Sequence, residues 1–339
     1  MSDKKFILGL DIGYGNTKMA FGEQGQKPQI KCYPSGAAKV LPNKNEDVKD
    51  GWFCEIDGQK WIAGVEPATI QNPSKILSLS YPTSAHYKAL FFSALANTQR
   101  TTIDTIVTGL PVNQYFSTVK NADGLTPKEQ LIKNMTGTFN IGNGKTVTVN
   151  EVKVYPQPIG AYVNYRVHCS DVERAVLQNC HTLVIDVGFY SFDYCLVSFG
   201  KLNKDFSGNT AFGVSKIVDQ IRDEISKKNG GYKVNTSVIE RVLRKNEKQI
   251  MINEKFEDVQ QYIDIASRKV ADEALQPMIN GLNTENDSIK VIFVGGGAKY
   301  FKNILAQNFH EEIPNFDPSK VKENTVTDNA VGFFYAGGQ

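Results

Sequence analysis

The chain has 339 residues, 41% hydrophobic and 22% charged, with Lys+Arg 38 against Asp+Glu 36 and a formal net charge of +2. That length fits about two domains of ~100–200 residues each. The balanced charge excludes a large basic surface built to neutralise nucleic-acid phosphates, so no direct nucleic-acid partner is expected and any link to DNA would run through another protein.

Before Asp11 the only apolar run is Phe6–Leu10, too short for the core of a secretory signal. No run approaches the ~18 apolar residues of a membrane helix, and a cytoplasmic protein with no membrane partner is expected. Cys32, Cys54, Cys169, Cys180 and Cys195 do not read as a disulfide framework. His168-Cys169 and Cys180-His181 offer four zinc ligands in principle, but adjacent ligands diverge and the helical segment between them does not match the usual spacings.

In chain order, Phe6–Leu10 and Lys18–Phe21 predict two strands joined by the Gly/Asn-rich turn GYGN. A small β-rich excursion over about 30–80 follows, with Trp52–Ile56 pairing with Gln59–Ala63 across Asp57-Gly58. Ala85–Asn97 has helical spacing, and Ile103–Leu110 is a strand stopped by Pro111. The run 112–135 reads as mostly helical, broken at Gly124 and Pro127, and 138–149 as a hairpin around Gly142-Asn143-Gly144. Val152–Tyr155 is read as a separate strand, and a helix begins over Ile159–Val167.

A strand from Thr182 runs into Val187-Gly188 and returns through Tyr194–Val197. Val214, Ile217, Val218, Ile221 and Ile225 mark one face of a helix after Gly213. Two more helices are expected over 236–246 and 256–280, and 289–294 is a buried strand entering Gly295-Gly296-Gly297. The class is α/β in two halves, expected as 1–157 with 329–339 and 158–328, the first carrying the β-rich insertion.

The most informative comparison is internal. LDIGYGNTKMAF (10–21) lies on IDVGFYSFDYCL (185–196) without a gap, each a strand, Asp, apolar residue, Gly, turn and returning strand. Two similar domains presenting matching loops to one ligand is the expectation. An aspartate ending a buried strand can hold a hydrated Mg²⁺, which takes one or two carboxylates plus phosphate oxygens; Asp11 and Asp186 fit that role. Gly13 and Gly15 allow backbone N–H groups to approach phosphate, with Asn16, Thr17 and Lys18 adding donors and a positive charge. The loop is neither the Walker pattern nor the dinucleotide fingerprint. FVGGGAKYF (293–301) adds a strand, three glycines and a helix N-terminus able to meet a phosphate or ribose.

These three pieces, in this order, resemble the superfamily of actin, the heat-shock chaperones and the sugar kinases. DIGYGNTK looks like its first phosphate loop, VIDVGFYSFD its second and VIFVGGGAKYF its adenosine motif. IVTGLPVNQYF, VKVYPQPIGAY, AFGVSKIVDQI and NAVGFFYAGG extend the resemblance to plasmid-segregation actins of the ParM/StbA type and their archaeal relatives, as does a length without a C-terminal substrate domain.

The resemblance implies duplicated ribonuclease H-like domains with an ATP cleft between them, and an ATP (or GTP) hydrolase dependent on Mg²⁺. It assigns Gln157 to the attacking water, although Gln157 could also cap the following helix, and Asp11 and Asp186 to Mg²⁺ through water. Gly13, Tyr14, Gly15, Asn16, Thr17 and Lys18 would form the first loop, and Gly188, Phe189, Tyr190, Ser191 and Asp193 the second. Gly213 and Lys216 would lie near ribose or adenine, with Gly295, Gly296, Gly297 and Lys299 on the nucleoside side. Phe189 and Tyr190 depart from the pattern, which has glycine and small hydroxyl residues there, and leave less room for backbone to close on the γ-phosphate. The implied function is a nucleotide-dependent homopolymer that segregates plasmid DNA through a DNA-binding adaptor. The alternatives are a small-molecule kinase and a non-hydrolysing scaffold on the same fold.

Overall fold

The computed structural model describes residues 4–74, 80–281, 289–301, 304 and 326–338. The chain divides into two compact units, Met1–Gln178 with Thr325–Gln339, and Asn179–Asn324. The first unit therefore extends past the expected boundary at 157 and takes in the helices Gln157–His168 and Asp171–Gln178.

The strands of the first unit are β1 (Phe6–Ile12), β2 (Asn16–Glu23), β3 (Gln29–Pro34), β4 (Gly36–Lys39), β5 (Trp52–Ile56), β6 (Gln59–Val65), β7 (Thr102–Leu110), β8 (Gly137–Gly142) and β9 (Lys145–Pro156). Six form one sheet in the order β3-β2-β1-β7-β9-β8, and β4-β6-β5 form a small second sheet, the predicted β-rich excursion. β1 pairs antiparallel with β2 and parallel with β7, and β7 pairs parallel with β9. The carboxyl ends of β1, β7 and β9 consequently share one edge, where ligands are bound in open α/β sheets.

Helix Ala85–Thr98 is capped by the Ser84 side chain, which accepts from Tyr87 N at 3.1 Å, and contributes Tyr87, Leu90, Phe91 and Leu95 to the core under β1 and β7. The 112–135 run resolves into a single turn, Val112–Tyr115, and a helix Pro127–Met135. Pro127 opens that helix instead of breaking it, because Thr126 and Glu129 form a capping box around it and proline fits the first turn. Val152–Tyr155 is not a separate strand but the end of the twelve-residue β9.

Helices Gln157–His168 and Asp328–Gly337 pack backbone to backbone. A Cβ at Gly332 would collide with Gly160 O, and Ala161 N donates to Asn329 Oδ1 at 3.1 Å. The last helix also closes on β1 and β2, where Ile7 and Ala20 meet Ala330, Val331 and Phe334.

The second unit repeats the hairpin-plus-parallel-strand arrangement. Its strands are β10 (His181–Val187), β11 (Phe192–Ser198), β12 (Lys201–Thr210), β13 (Gln249–Ile252), β14 (Lys255–Asp258) and β15 (Ile289–Val294). They form a sheet β12-β11-β10-β15 and a separate β13-β14 hairpin. As predicted, Val214, Ile217, Val218, Ile221 and Ile225 are the buried face of helix Val214–Lys228, each contributing about 1.5–3 kcal/mol on burial. They pack with residues of helices Thr236–Lys245 and Gln260–Gly281. The second expected helix starts at Gln260, not 256, because 249–258 is occupied by the β13-β14 hairpin. β12 was not foreseen.

Candidate functional site

The first loop closes β1 onto β2 with Asp11 opposite Lys18 and Ile12 opposite Thr17. Asp11 is buried at 4% exposure, and Lys18 Nζ donates to its Oδ2 at 3.0 Å. Gly13 N bonds to Asn16 O at 3.1 Å, which holds the turn tight. The Tyr14 ring stacks on Tyr81 with centroids 4.2 Å apart. Thr17 stands apart from the phosphate-facing role expected of it: it is fully buried, and its hydroxyl is bonded to Ser35 Oγ at 2.9 Å.

Gln157 follows Pro156 at the end of β9, beside the end of β7. Its side chain occupies the space that a side chain at Gly109 would take. The N-cap of its helix is Pro156 with no side-chain cap bond, so Gln157 does not serve as the cap.

The second loop closes β10 onto β11 in the same register, with Asp186 opposite Asp193 and Val187 opposite Phe192. Superposed by the internal repeat, Asp11 matches Asp186, and Lys18 matches Asp193. One hairpin thus pairs a carboxylate with an ammonium, whereas the other opposes two carboxylates. Asp193 is 1% exposed and accepts from Ser191 Oγ at 2.5 Å.

Three successive carbonyls of this loop serve the start of the next helix. Tyr190 O accepts from Gly213 N at 3.0 Å, Gly188 O from Val214 N at 3.1 Å and Phe189 O from Ser215 N at 2.7 Å. The Phe189 side chain is partly buried against the core of this unit. The bulk at Phe189 is therefore used as an anchor.

The glycine triplet joins the same cluster. Gly297 N donates to Val187 O at 2.9 Å. Gly295 has a φ of +91, and a Cβ there would strike Asp186 Oδ1, so glycine is required by both backbone and space. Two predicted residues lie away from it. Lys216 is exposed on the first turn of its helix. Lys299 Nζ turns to Leu243 O at 3.5 Å and to Asn246 Oδ1, and burial lowers its pKa from the ordinary lysine value. Lys299 and Tyr300 line a cavity of about 880 Å³ with Leu243, Asn246, Ile263 and Ser267, whose walls include neither the second loop nor the triplet.

The donor set fits Mg²⁺ better than zinc. Among the described residues no group of three or more His, Cys, Asp or Glu could hold a metal. His168 Nδ1 is bonded to Asn164 O and His181 Nδ1 to Ser198 Oγ, each at 2.9 Å. A magnesium ion needs only one or two carboxylates, its remaining positions going to water and phosphate. Directly opposed like charges destabilise a strand pair, which a cation beside Asp186 and Asp193 would offset.

Two family models match the chain: actin-like proteins, N-terminal domain, over residues 9–160, and archaeal actin homologue MreB-like, C-terminal, over 184–307. The chain belongs to the actin-like superfamily. Its actin-like fold is shared with solved structures along nearly all its length. An archaeal actin homologue, Ta0583, is 19% identical with a TM-score of 0.64, the match covering 98% of each chain. A subunit of a 15-stranded ParM filament from Clostridium botulinum is 18% identical with a TM-score of 0.68, covering 98% of this chain and 99% of that one. Ta0583 has also been solved in complex with ADP, at 18% identity, a TM-score of 0.61 and 98% coverage of each chain. No curated protein sequence matches this actin-like chain.

The residues that hold the first actin-like loop in place, Ser35, Tyr81 and His86, were missed by the sequence reading. They lie outside any motif, and only the pairing of β2 with β3 and the start of helix Ala85–Thr98 bring them to Thr17 and Gly13.

Proposed function

We propose that the chain is a Mg²⁺-dependent ATPase that assembles with copies of itself into nucleotide-dependent filaments. In this reading it is cytoplasmic and moves or segregates plasmid DNA through a DNA-binding adaptor. The observation that carries the reading is the repeated hairpin: two buried strands with Asp11 and Asp186 at their next-to-last positions, each turning back in the same register, with the glycine triplet set against Asp186. The fold shared with an ADP-bound archaeal homologue and with a ParM filament subunit supports it further.

The Gly13–Asn16 backbone and the Lys18 ammonium bind the terminal phosphates, together with the second loop at Gly188, Phe189, Tyr190 and Ser191. Gly213 and Gly295–Gly297 meet the nucleoside side. Asp11 and Asp186 would hold a hydrated Mg²⁺, which would supply positive charge to neutralise the phosphates. Gln157 orients the water that attacks the terminal phosphorus, and ADP and inorganic phosphate leave. Head-to-tail contacts that do not close on themselves generate open filaments.

Negative-stain electron microscopy and pelleting, with and without ATP·Mg²⁺, test the proposal alongside turnover. Filaments that require nucleotide are expected. Absence of assembly at every accessible concentration would overturn it, tight ATP binding without turnover would favour a scaffold, and turnover that needs an added acceptor would favour a kinase.

A further inference from the structure

The first loop is braced from outside its own motif at four points. Ser35 N donates to Gly15 O at 3.1 Å, and Ser35 Oγ meets Thr17 Oγ1 at 2.9 Å. Tyr81 Oη donates to Gly13 O at 3.3 Å while its ring stacks on Tyr14. Behind them His86 Nε2 lies 2.9 Å from Ser35 O, and its ring meets Tyr81 edge-on at 5.5 Å. Thr17, Ser35, Tyr81 and His86 are all buried, at no more than 5% exposure.

A loop that uses backbone N–H groups on a phosphate must keep those groups pointing outward. Its carbonyls therefore need partners on the inner side, and here Ser35 and Tyr81 supply them to Gly15 and Gly13. Thr17 has the composition of a phosphate ligand, yet its hydroxyl is spent on Ser35. We propose that Ser35 and Tyr81 are positioning residues of the phosphate cradle and that Thr17 acts through Ser35, not on the phosphate. This rests on the nucleotide-binding reading above.

A double-mutant cycle on the full chain separates the possibilities, with Mg·ATP affinity read by calorimetry and turnover measured in parallel. Thr17→Val keeps the shape of the side chain and removes its hydroxyl, and Ser35→Ala removes the other end of the same bond. Each is expected to weaken Mg·ATP about three- to tenfold, the size of one hydrogen bond. Because both delete one strut, the double variant is expected to be no weaker than either single one.

Tyr81→Phe, which removes only a hydroxyl and retains the stack on Tyr14, is expected to raise KM with kcat little changed, and melting curves separate this from loss of fold. Losses that add across Thr17 and Ser35, or an unchanged affinity in Ser35→Ala and Tyr81→Phe, would overturn the assignment. Failure of the unmodified chain to bind Mg·ATP would instead overturn the nucleotide-binding reading itself.

Discussion

His86 is buried beneath the first loop, and burial pushes its imidazole pKa below the ordinary histidine value, more than the carbonyls of Ser35 and Ser74 raise it. The unfolded chain, with a histidine pKa of ~6.5, therefore takes up a proton more readily than the folded one. The neutral ring's contribution to stability is present above about pH 6.5 and is lost as pH falls from there toward the folded value. Melting temperature is expected to drop between about pH 7.5 and about pH 5.5, and to drop less in His86→Gln. Equal pH slopes for the two proteins would refute this. At the same scale, the hairpins that carry Asp11, Lys18 and Asp186 could be read from the sequence because an apolar strand, a glycine-bearing turn and a returning strand mark each. The role of Thr17 could not, since the side chain that claims its hydroxyl is eighteen positions away.

Helices Gln157–His168 and Asp328–Gly337 touch through main chain at Gly160 and Gly332, with no room for a methyl group between them. Gly332→Ala is expected to force the pair apart at a cost of about 1–3 kcal/mol, the usual size of an overpacking penalty. Calorimetric melting should show this as a fall of roughly 2–12 °C. An unchanged melting temperature would mean the pair can slide apart freely.

Elements were legible where local chemistry dictated them. Asp57-Gly58 turns β5 into β6, and the apolar face of Val214–Lys228 was read residue for residue. β12 was hidden because most of its residues are exposed or half-exposed, so no alternation of apolar residues marks it. The β13-β14 hairpin was hidden because each strand has only four residues and its turn, Asn253-Glu254, takes positive φ without a glycine. β9 was divided because the exposed Asn150 and Glu151 interrupt its buried positions.

For the whole molecule, a net charge of +2 on 339 residues gives little electrostatic repulsion between copies, which suits a protein proposed to self-associate. Among the described residues no helix is long and apolar enough to cross a membrane. If the opposed carboxylates of the second loop need a cation, removing Mg²⁺ with EDTA should lower ATP turnover by at least about tenfold and abolish ATP-dependent pelleting, and restoring Mg²⁺ should recover both. Turnover that survives chelation would remove the metal from the mechanism.

The helix Asp328–Gly337 has a consequence for biosynthesis. It covers β1, the strand that leads into the first loop, yet it is translated only after the whole second unit. While the ribosome is still making that unit, Ile7, Ala20 and the main chain at Gly9 wait without the surface that will bury them. The second unit is one continuous run, Asn179–Asn324, so all of it is synthesised before the helix that completes the first.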